Sequence, residues 1–271
     1  MNLIRSLGSG RERLRPGLSK RMKRVTMKVL VAFGLVFGLA AGAFADPGKR
    51  PDPEGQRALE RYVESYAQVR DALRDVQMEV HIEARLPELK KKGVLHALRK
   101  VSALGKITYK VLGFQGDNMV KKDVIARYLE AEVKSSNQRT RKMLAITPAN
   151  YKFRYRGKYG SGDWTLYLFQ VEPKKKRVGM YRGWLWIHAG TGMPVRESGR
   201  LVKNPSVFLK RVDFVRDYAM IDGVAVPSVI QTEIRTRLVG PAEIRIEFRD
   251  IKFNGAPELA SRGAAPQAID N

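Results

Sequence analysis

From Tyr151 to Phe253 the chain offers two-residue alternation broken by turn chemistry, and this constrains the fold more than any other feature. Runs rich in β-branched and aromatic residues are separated by Gly160-Ser-Gly162, Ala189-Gly-Thr-Gly192, Asp222-Gly223 and Gly240-Pro241. Consecutive strands joined by short turns make an antiparallel meander. The last strands alternate most cleanly. Val226, Ile230, Ile234 and Leu238 face one way and Gln231, Glu233, Arg235 and Arg237 the other; Ile244, Ile246 and Phe248 repeat this against Glu243, Arg245, Glu247 and Arg249. Beyond Phe248 the apolar phase slips to Ile251 and Phe253, as a bulge near Arg249 and Asp250 produces, so the sheet is expected to curve there.

The first half begins differently. Leu59, Tyr62, Val63, Tyr66, Val69 and Leu73 recur at three- and four-residue steps among Arg57, Glu60, Arg61, Glu64 and Arg70, which predicts an amphipathic helix. The period then drops to two: Val76, Met78, Val80, Ile82, Ala84 and Leu86 interleave with polar residues as in a half-buried strand. Val94 to Leu104 fits a short helix or a strand, and Ile107 to Phe114 reads as strand. Asp117 as a cap, followed by Val120, Val124, Ile125, Tyr128 and Leu129, predicts a second helix ending near Val133. Pro47, Pro51 and Pro53 make residues 46–54 a flexible lead-in, and the Ala-, Gly- and Pro-rich residues 255–271 are expected to be a disordered tail. A single α+β domain is thus expected over residues 55–254, a usual size for one β-rich domain.

Residues 1–45 read as a secretory signal. Lys23, Arg24 and Lys28 lead into Val29-Leu-Val-Ala-Phe-Gly-Leu-Val-Phe-Gly-Leu-Ala-Ala and then Ala43-Phe44-Ala45, the order of a basic region, an apolar region and an A-x-A cleavage site. Gly34, Gly38 and Gly42 interrupt an apolar stretch shorter than the roughly 20 residues a bilayer span requires. Cleavage near Ala45 and residence in the periplasm are the expectation. The chain has no cysteine, which excludes disulfides, thiolate metal sites and a lipid-anchored N-terminus after that cleavage. The formal charge is +24; nine Lys/Arg and one Glu in residues 1–45 account for +8, leaving +16 for the remainder. That charge favours anionic partners such as lipid headgroups. Export makes nucleic acid the least expected of them.

Catalytic motifs are missing. The three histidines, His81, His96 and His188, show no metal-ligand spacing, and no nucleophile elbow or phosphate-cradling loop occurs. Glu197, Asp213 and Asp217 are the carboxylates with some chance of converging, but nothing in their spacing requires it. No enzyme activity, cofactor or metal is expected.

The chain instead carries apolar residues in excess of one core face. On Trp164 to Val171 both alternating sets are apolar or aromatic, Trp164, Leu166 and Leu168 against Tyr167, Phe169 and Val171; Trp184 and Trp186 oppose Leu185 and Ile187 in the same way. Such strands need cover on both sides. Either the sheet and its few helices fill a core completely, or one face, shielded by helices, leaves a cavity for an apolar ligand.

Gly183-Trp-Leu-Trp-Ile-His-Ala-Gly-Thr-Gly-Met-Pro-Val195 resembles the "G-x-hydrophobic-W-I-D, turn, P-V-R" hairpin of the LolA-type lipoprotein and lipid carriers, a superfamily that also holds RseB-like envelope-stress regulators and LppX-like lipid binders. Phe214-Val-Arg-Asp-Tyr218, Ile221-Asp-Gly-Val-Ala-Val-Pro227 and Gly240-Pro-Ala-Glu-Ile-Arg-Ile246 agree in order and spacing, so the resemblance covers residues 146–254. His188 departs from it, standing where an acidic residue is usual. The resemblance implies an unclosed antiparallel β-barrel with a helical lid over an apolar cavity for acyl chains of a lipid or lipoprotein. The lining expected from the apolar strand faces is Trp164, Leu166, Leu168, Trp184, Trp186, Val212, Phe214, Ile230, Ile234, Ile244, Ile246 and Phe248. The alternative it implies is an RseB-like regulator that binds an envelope membrane protein.

Overall fold

The computed structural model describes residues 52–237 and 240–254; the expected signal and tail lie outside them. Helix α1 (Pro53–Ala72) starts with Pro53 in its first turn and Asp52 as N-cap, whose carboxylate accepts from the backbone N–H of Glu54 at 2.9 Å and Gly55 at 3.3 Å. It therefore begins inside the stretch expected as lead-in. Its buried residues Gly55, Ala58, Tyr62, Ser65 and Val69 fall at three- and four-residue steps along one stripe.

Three strands follow, β1 (Val76–Leu86), β2 (Lys91–Val101) and β3 (Ile107–Gly116). The expected second helix is a π-helical segment, Val120–Ala126, running into α2 (Arg127–Ser135) and then α3 (Gln138–Leu144). Asp117 caps its start, accepting from Met119 N–H at 2.8 Å. The meander comprises β4 (Tyr151–Tyr159), β5 (Leu166–Pro173), β6 (Tyr181–His188), β7 (Pro194–Leu201), β8 (Leu209–Ile221), β9 (Val224–Thr236) and β10 (Pro241–Phe253).

Among the described residues ten strands form one antiparallel sheet in the order β3-β2-β1-β10-β9-β8-β7-β6-β5-β4. Only the β1–β10 pairing joins strands distant in sequence, and it leaves β3 and β4 at opposite edges. The barrel is consequently not closed. Residues 117–150 must carry the chain from one edge to the other, and they do so as helices lying over the inner face of the sheet. Helix α3 touches both sides: Arg141 donates to the Gly105 carbonyl between β2 and β3 at 3.2 Å, while Leu144 packs against Gly179 between β5 and β6.

Bulges bend the sheet. The β1–β10 register slips between Gln77 and Glu79 opposite Asp250, which has φ +48°, where the change of apolar phase predicted it. Gly183 and Gly199 face each other across β6 and β7, and a Cβ on Gly199 would lie 2.7 Å from the Tyr181 ring.

Two large clusters and a smaller third make up the core. One packs the π-segment and α2 on β1, β2, β3, β9 and β10 through Val120, Ile125, Ile82, Leu95, Ile244 and Ile246. The other packs α1 on β4 to β6 through Tyr62, Tyr151, Phe169, Val171, Leu185 and Ile187. These two clusters share no residue; a smaller third, of Val69, Met193, Val224, Ala225 and Val226, joins the C-terminal end of α1 to β9 and shares Ile251 and Phe253 with the first. Close approach of α1 depends on Gly55, where a Cβ would lie 2.7 Å from that of Tyr155. Gly55→Ala is expected to lower unfolding free energy by about 1–3 kcal/mol through overpacking, read as a lower urea midpoint with an unchanged m-value.

Candidate functional site: the inner face between the helices

Strand register decides which face each side chain joins. On β5 and β6, Tyr167, Phe169 and Val171 and then Tyr181, Leu185 and Ile187 point inward under α1. Leu166, Leu168, Trp184 and Trp186 therefore point outward, with Leu168 opposite Trp186. Trp164 stands in the turn before β5 and is 81% exposed. From β8 the expected lining falls on the inner face: Phe214 lies opposite Thr232, Val212 opposite Ile234, Ile230 opposite Ile246, and Phe248 opposite Val80. Seven of the twelve expected residues, Val212, Phe214, Ile230, Ile234, Ile244, Ile246 and Phe248, are thus brought together on β8, β9 and β10. The other five are elsewhere.

The seven reach both sides of the seam between the two large clusters: Phe214 packs on the α1 cluster, while Ile230, Ile234, Ile244, Ile246 and Phe248 belong to or pack on the α2 cluster. Ile244 and Ile246 are fully covered, whereas Phe214, Ile234 and Phe248 are only partly buried. At the floor of the seam lies a polar group that alternation did not reveal. Glu197, 3% exposed, accepts from Tyr218 Oη at 2.7 Å and from Arg216 Nη1 at 3.1 Å. Glu197 sits on β7 directly opposite Arg216 on β8. Asp213 and Asp217 pair with Arg200 and Arg196 on the outer face, so the three carboxylates do not converge.

Tyrosines surround this pair. Burial, reinforced by the Glu197 charge, holds the hydroxyls of Tyr62, Tyr66 and Tyr181 above their ordinary range, and Tyr151 is pushed up to about 12 by burial. Tyr128 of α2 is raised by burial and by Glu132, with Arg216 opposing. These groups stay neutral and can serve as hydrogen-bond donors. Three buried polar atoms have no partner among the described residues: His81 Nδ1 on β1 and, in this region, Arg216 Nε and Tyr181 Oη. Buried donors without acceptors cost free energy and mark where a polar ligand atom would be accepted.

The helices are held unequally. Helix α1 is pinned by its buried stripe and by Ser65 Oγ to the Gly192 carbonyl at 2.7 Å and Arg61 to the Ala189 carbonyl at 2.7 Å. Helix α2 has no fully buried residue and is tied to the sheet by Glu132, which accepts from Arg99 at 2.8 Å and from Tyr109 Oη. A π-helical turn precedes it, a place where helices commonly adjust.

Among the described residues, no group of three potential metal ligands occurs. His81, on the polar face of β1, is half-buried and packs edge-on against His96 of β2 with ring centroids 4.4 Å apart. Burial, then the neighbouring His96 and Arg249, lower its pKa, so the pair is a packed outer-face contact.

No family model matches the sequence, and no curated protein matches it. Solved structures do. A LolA-superfamily protein from Nitrosomonas europaea is 13% identical over 74% of this chain and 93% of that chain, with a TM-score of 0.37. An outer membrane lipoprotein-sorting protein domain from Vibrio parahaemolyticus is 10% identical over 73% of this chain and 93% of that chain, with a TM-score of 0.39. In the Pseudomonas aeruginosa MucA/MucB complex the matching chain is 12% identical, covering 74% of this chain and 97% of its own length, with a TM-score of 0.25. These likenesses concern the arrangement of strands and helices alone.

Proposed function

We propose that the protein is an exported carrier that holds acyl chains of a lipid or lipoprotein in the seam between α1 and α2, against the inner faces of β8, β9 and β10. The observation that carries this reading is the divided core: the cluster under the π-segment and α2 shares no residue with the cluster under the N-terminal part of α1, the partly buried Phe214, Ile234 and Phe248 lie on their margins, and a third cluster holds the C-terminal end of α1 to β9. Lifting α2 there would expose Ile234 and Phe248 while α1 stays held by its own cluster and by the third. Helix α2 is the element with least to lose on moving, since it relies on partly buried contacts and the Arg99–Glu132 pair. Each methylene that then leaves water gains about 0.8 kcal/mol. Arg216 Nε and Tyr181 Oη, without acceptors in the closed arrangement, would donate to the polar end of the guest.

Delipidated full-length protein titrated with an environment-sensitive fluorescent fatty acid should show saturable uptake. Ile234→Glu, at a partly buried seam position, should weaken it about tenfold or more by placing a carboxylate against the chain, with the far-UV spectrum unchanged. Absence of saturable uptake by the parent protein, or equal affinity in the variant, would contradict the carrier reading.

A further inference from the structure

The outer face of β4 to β7 carries a surface that the seam does not use. The chain has three tryptophans, and all three belong here: Trp184 and Trp186 on the outer side of β6, and Trp164 in the turn entering β5. Trp184 is 40% exposed, Tyr159 is 45% exposed, and the Tyr159 ring meets Trp186 with centroids 5.1 Å apart. Half-buried Leu166 adds to the apolar part opposite His188, and Leu168, opposite Trp186, is buried beneath it. His188 Nε2 lies 2.6 Å from the Asp163 carbonyl, fixing the turn that presents Trp164 beside the patch.

Arginines surround it. Arg196 and Arg200 on β7 are paired with Asp217 and Asp213. Arg154 and Arg156 on β4 and Arg182 on β6 are exposed and have no carboxylate partner among the described residues; Arg156 donates only to the neutral Gln170 amide. Between Arg182 and Arg200 the surface dips into an open depression of ≈ 420 Å³ lined also by Trp184, Ser198 and Asp213. Amphipathic aromatic rings interleaved with unneutralised guanidinium groups form the chemistry of a membrane–water interface: the rings enter the headgroup layer while the arginines meet phosphates.

We infer that this outer face docks on the surface of an anionic phospholipid bilayer, with Trp184 and Tyr159 entering the interface and Arg154, Arg156 and Arg182 holding headgroup phosphates. Charge complementarity selects this occupant over an apolar protein surface, which would leave three guanidinium groups buried without partners. The inference does not depend on the carrier reading, because the seam lies on the opposite side of the sheet.

Because every tryptophan sits on this face, intrinsic fluorescence of the full chain reports it directly. With vesicles of phosphatidylcholine containing one quarter phosphatidylglycerol, emission should shift to shorter wavelength, and phosphatidylglycerol brominated on its acyl chains should quench it. Pure phosphatidylcholine vesicles, or 0.5 M salt, should abolish both responses. Trp184→Ala and Arg182→Glu, both at exposed positions, should each weaken vesicle association about tenfold in co-sedimentation. Three results would overturn the inference: no association with anionic vesicles, association without tryptophan quenching, or free-protein emission already blue-shifted and shielded from acrylamide. The last would mean that a second copy or another polypeptide segment covers the face. A brominated fatty acid supplied as monomer separates the two proposals, since uptake into the seam should leave the outer tryptophans unquenched.

Discussion

Replacing Glu197 with alanine is expected to lower unfolding free energy by about 2–4 kcal/mol, whereas Glu197→Gln should cost clearly less. The carboxylate is 3% exposed and is the ionic partner of Arg216, while also accepting from Tyr218. Alanine leaves a guanidinium without its counter-charge and a buried phenol without its acceptor, in a region where Arg216 Nε and Tyr181 Oη already lack partners. Roughly a third of the Arg216 side chain still reaches solvent, which keeps the expected cost toward the lower part of the range for a broken buried pair. Glutamine preserves an acceptor oxygen for Tyr218 and loses the charge alone. Urea unfolding followed by circular dichroism measures both variants. Equal stability of the alanine variant and the parent would show that the pair is hydrated and unimportant to the closed state.

Phe169→Ala should be costlier still, about 3–5 kcal/mol, as expected for removal of a fully enclosed aromatic side chain. Phe169 is 2% exposed and packs against Phe153 and Tyr155 with centroids 6.1 and 5.5 Å away, directly beneath α1. The divided core adds a spatial expectation. Hydrogen exchange should rise in α1 and in β4 to β6 while the amides of the π-segment, β1 and β2 keep their protection, because those belong to the other cluster. Uniform loss of protection across both regions would mean that the core behaves as one unit and that the seam is no natural line of opening.

Much of the architecture was legible because a buried strand face imposes a two-residue period. The alternation from Val76 to Leu86 became β1 with its inner side covered, and the slip after Phe248 became the bulge at Asp250. Length, turn chemistry and the Asp117 cap located most remaining elements. The π-helical conformation of Val120–Ala126 was not readable, because π and α turns share nearly the same apolar spacing.

Side assignment was harder. Where both alternating sets are apolar, as on β5 and β6, local pattern cannot say which faces inward; the docking of α1 through Tyr62 and Ala58 decides it, and this is a property of the helix. For that reason the pattern alone places Leu166, Leu168, Trp184 and Trp186 in the lining, whereas they stand on the outer face. From β8 onward one set is polar and the assignment to the inner face follows. The burial of Glu197 is not readable from alternation, because a carboxylate on a strand ordinarily marks the solvated side. Its signal lay across the sheet, in the opposed Arg216, and cross-strand register is invisible without the fold. The same applies to the contact between His81 and His96.

The most direct measurement is photo-crosslinking of delipidated protein with a fatty acid bearing a diazirine at the end of its acyl chain, with adducts located by peptide mass spectrometry. The account predicts adducts on the inner face around Phe214, Thr232, Ile234 and Tyr128, competed by unlabelled fatty acid. Adducts confined to Trp184, Trp186 and Tyr159, or labelling that excess unlabelled lipid does not reduce, would contradict it.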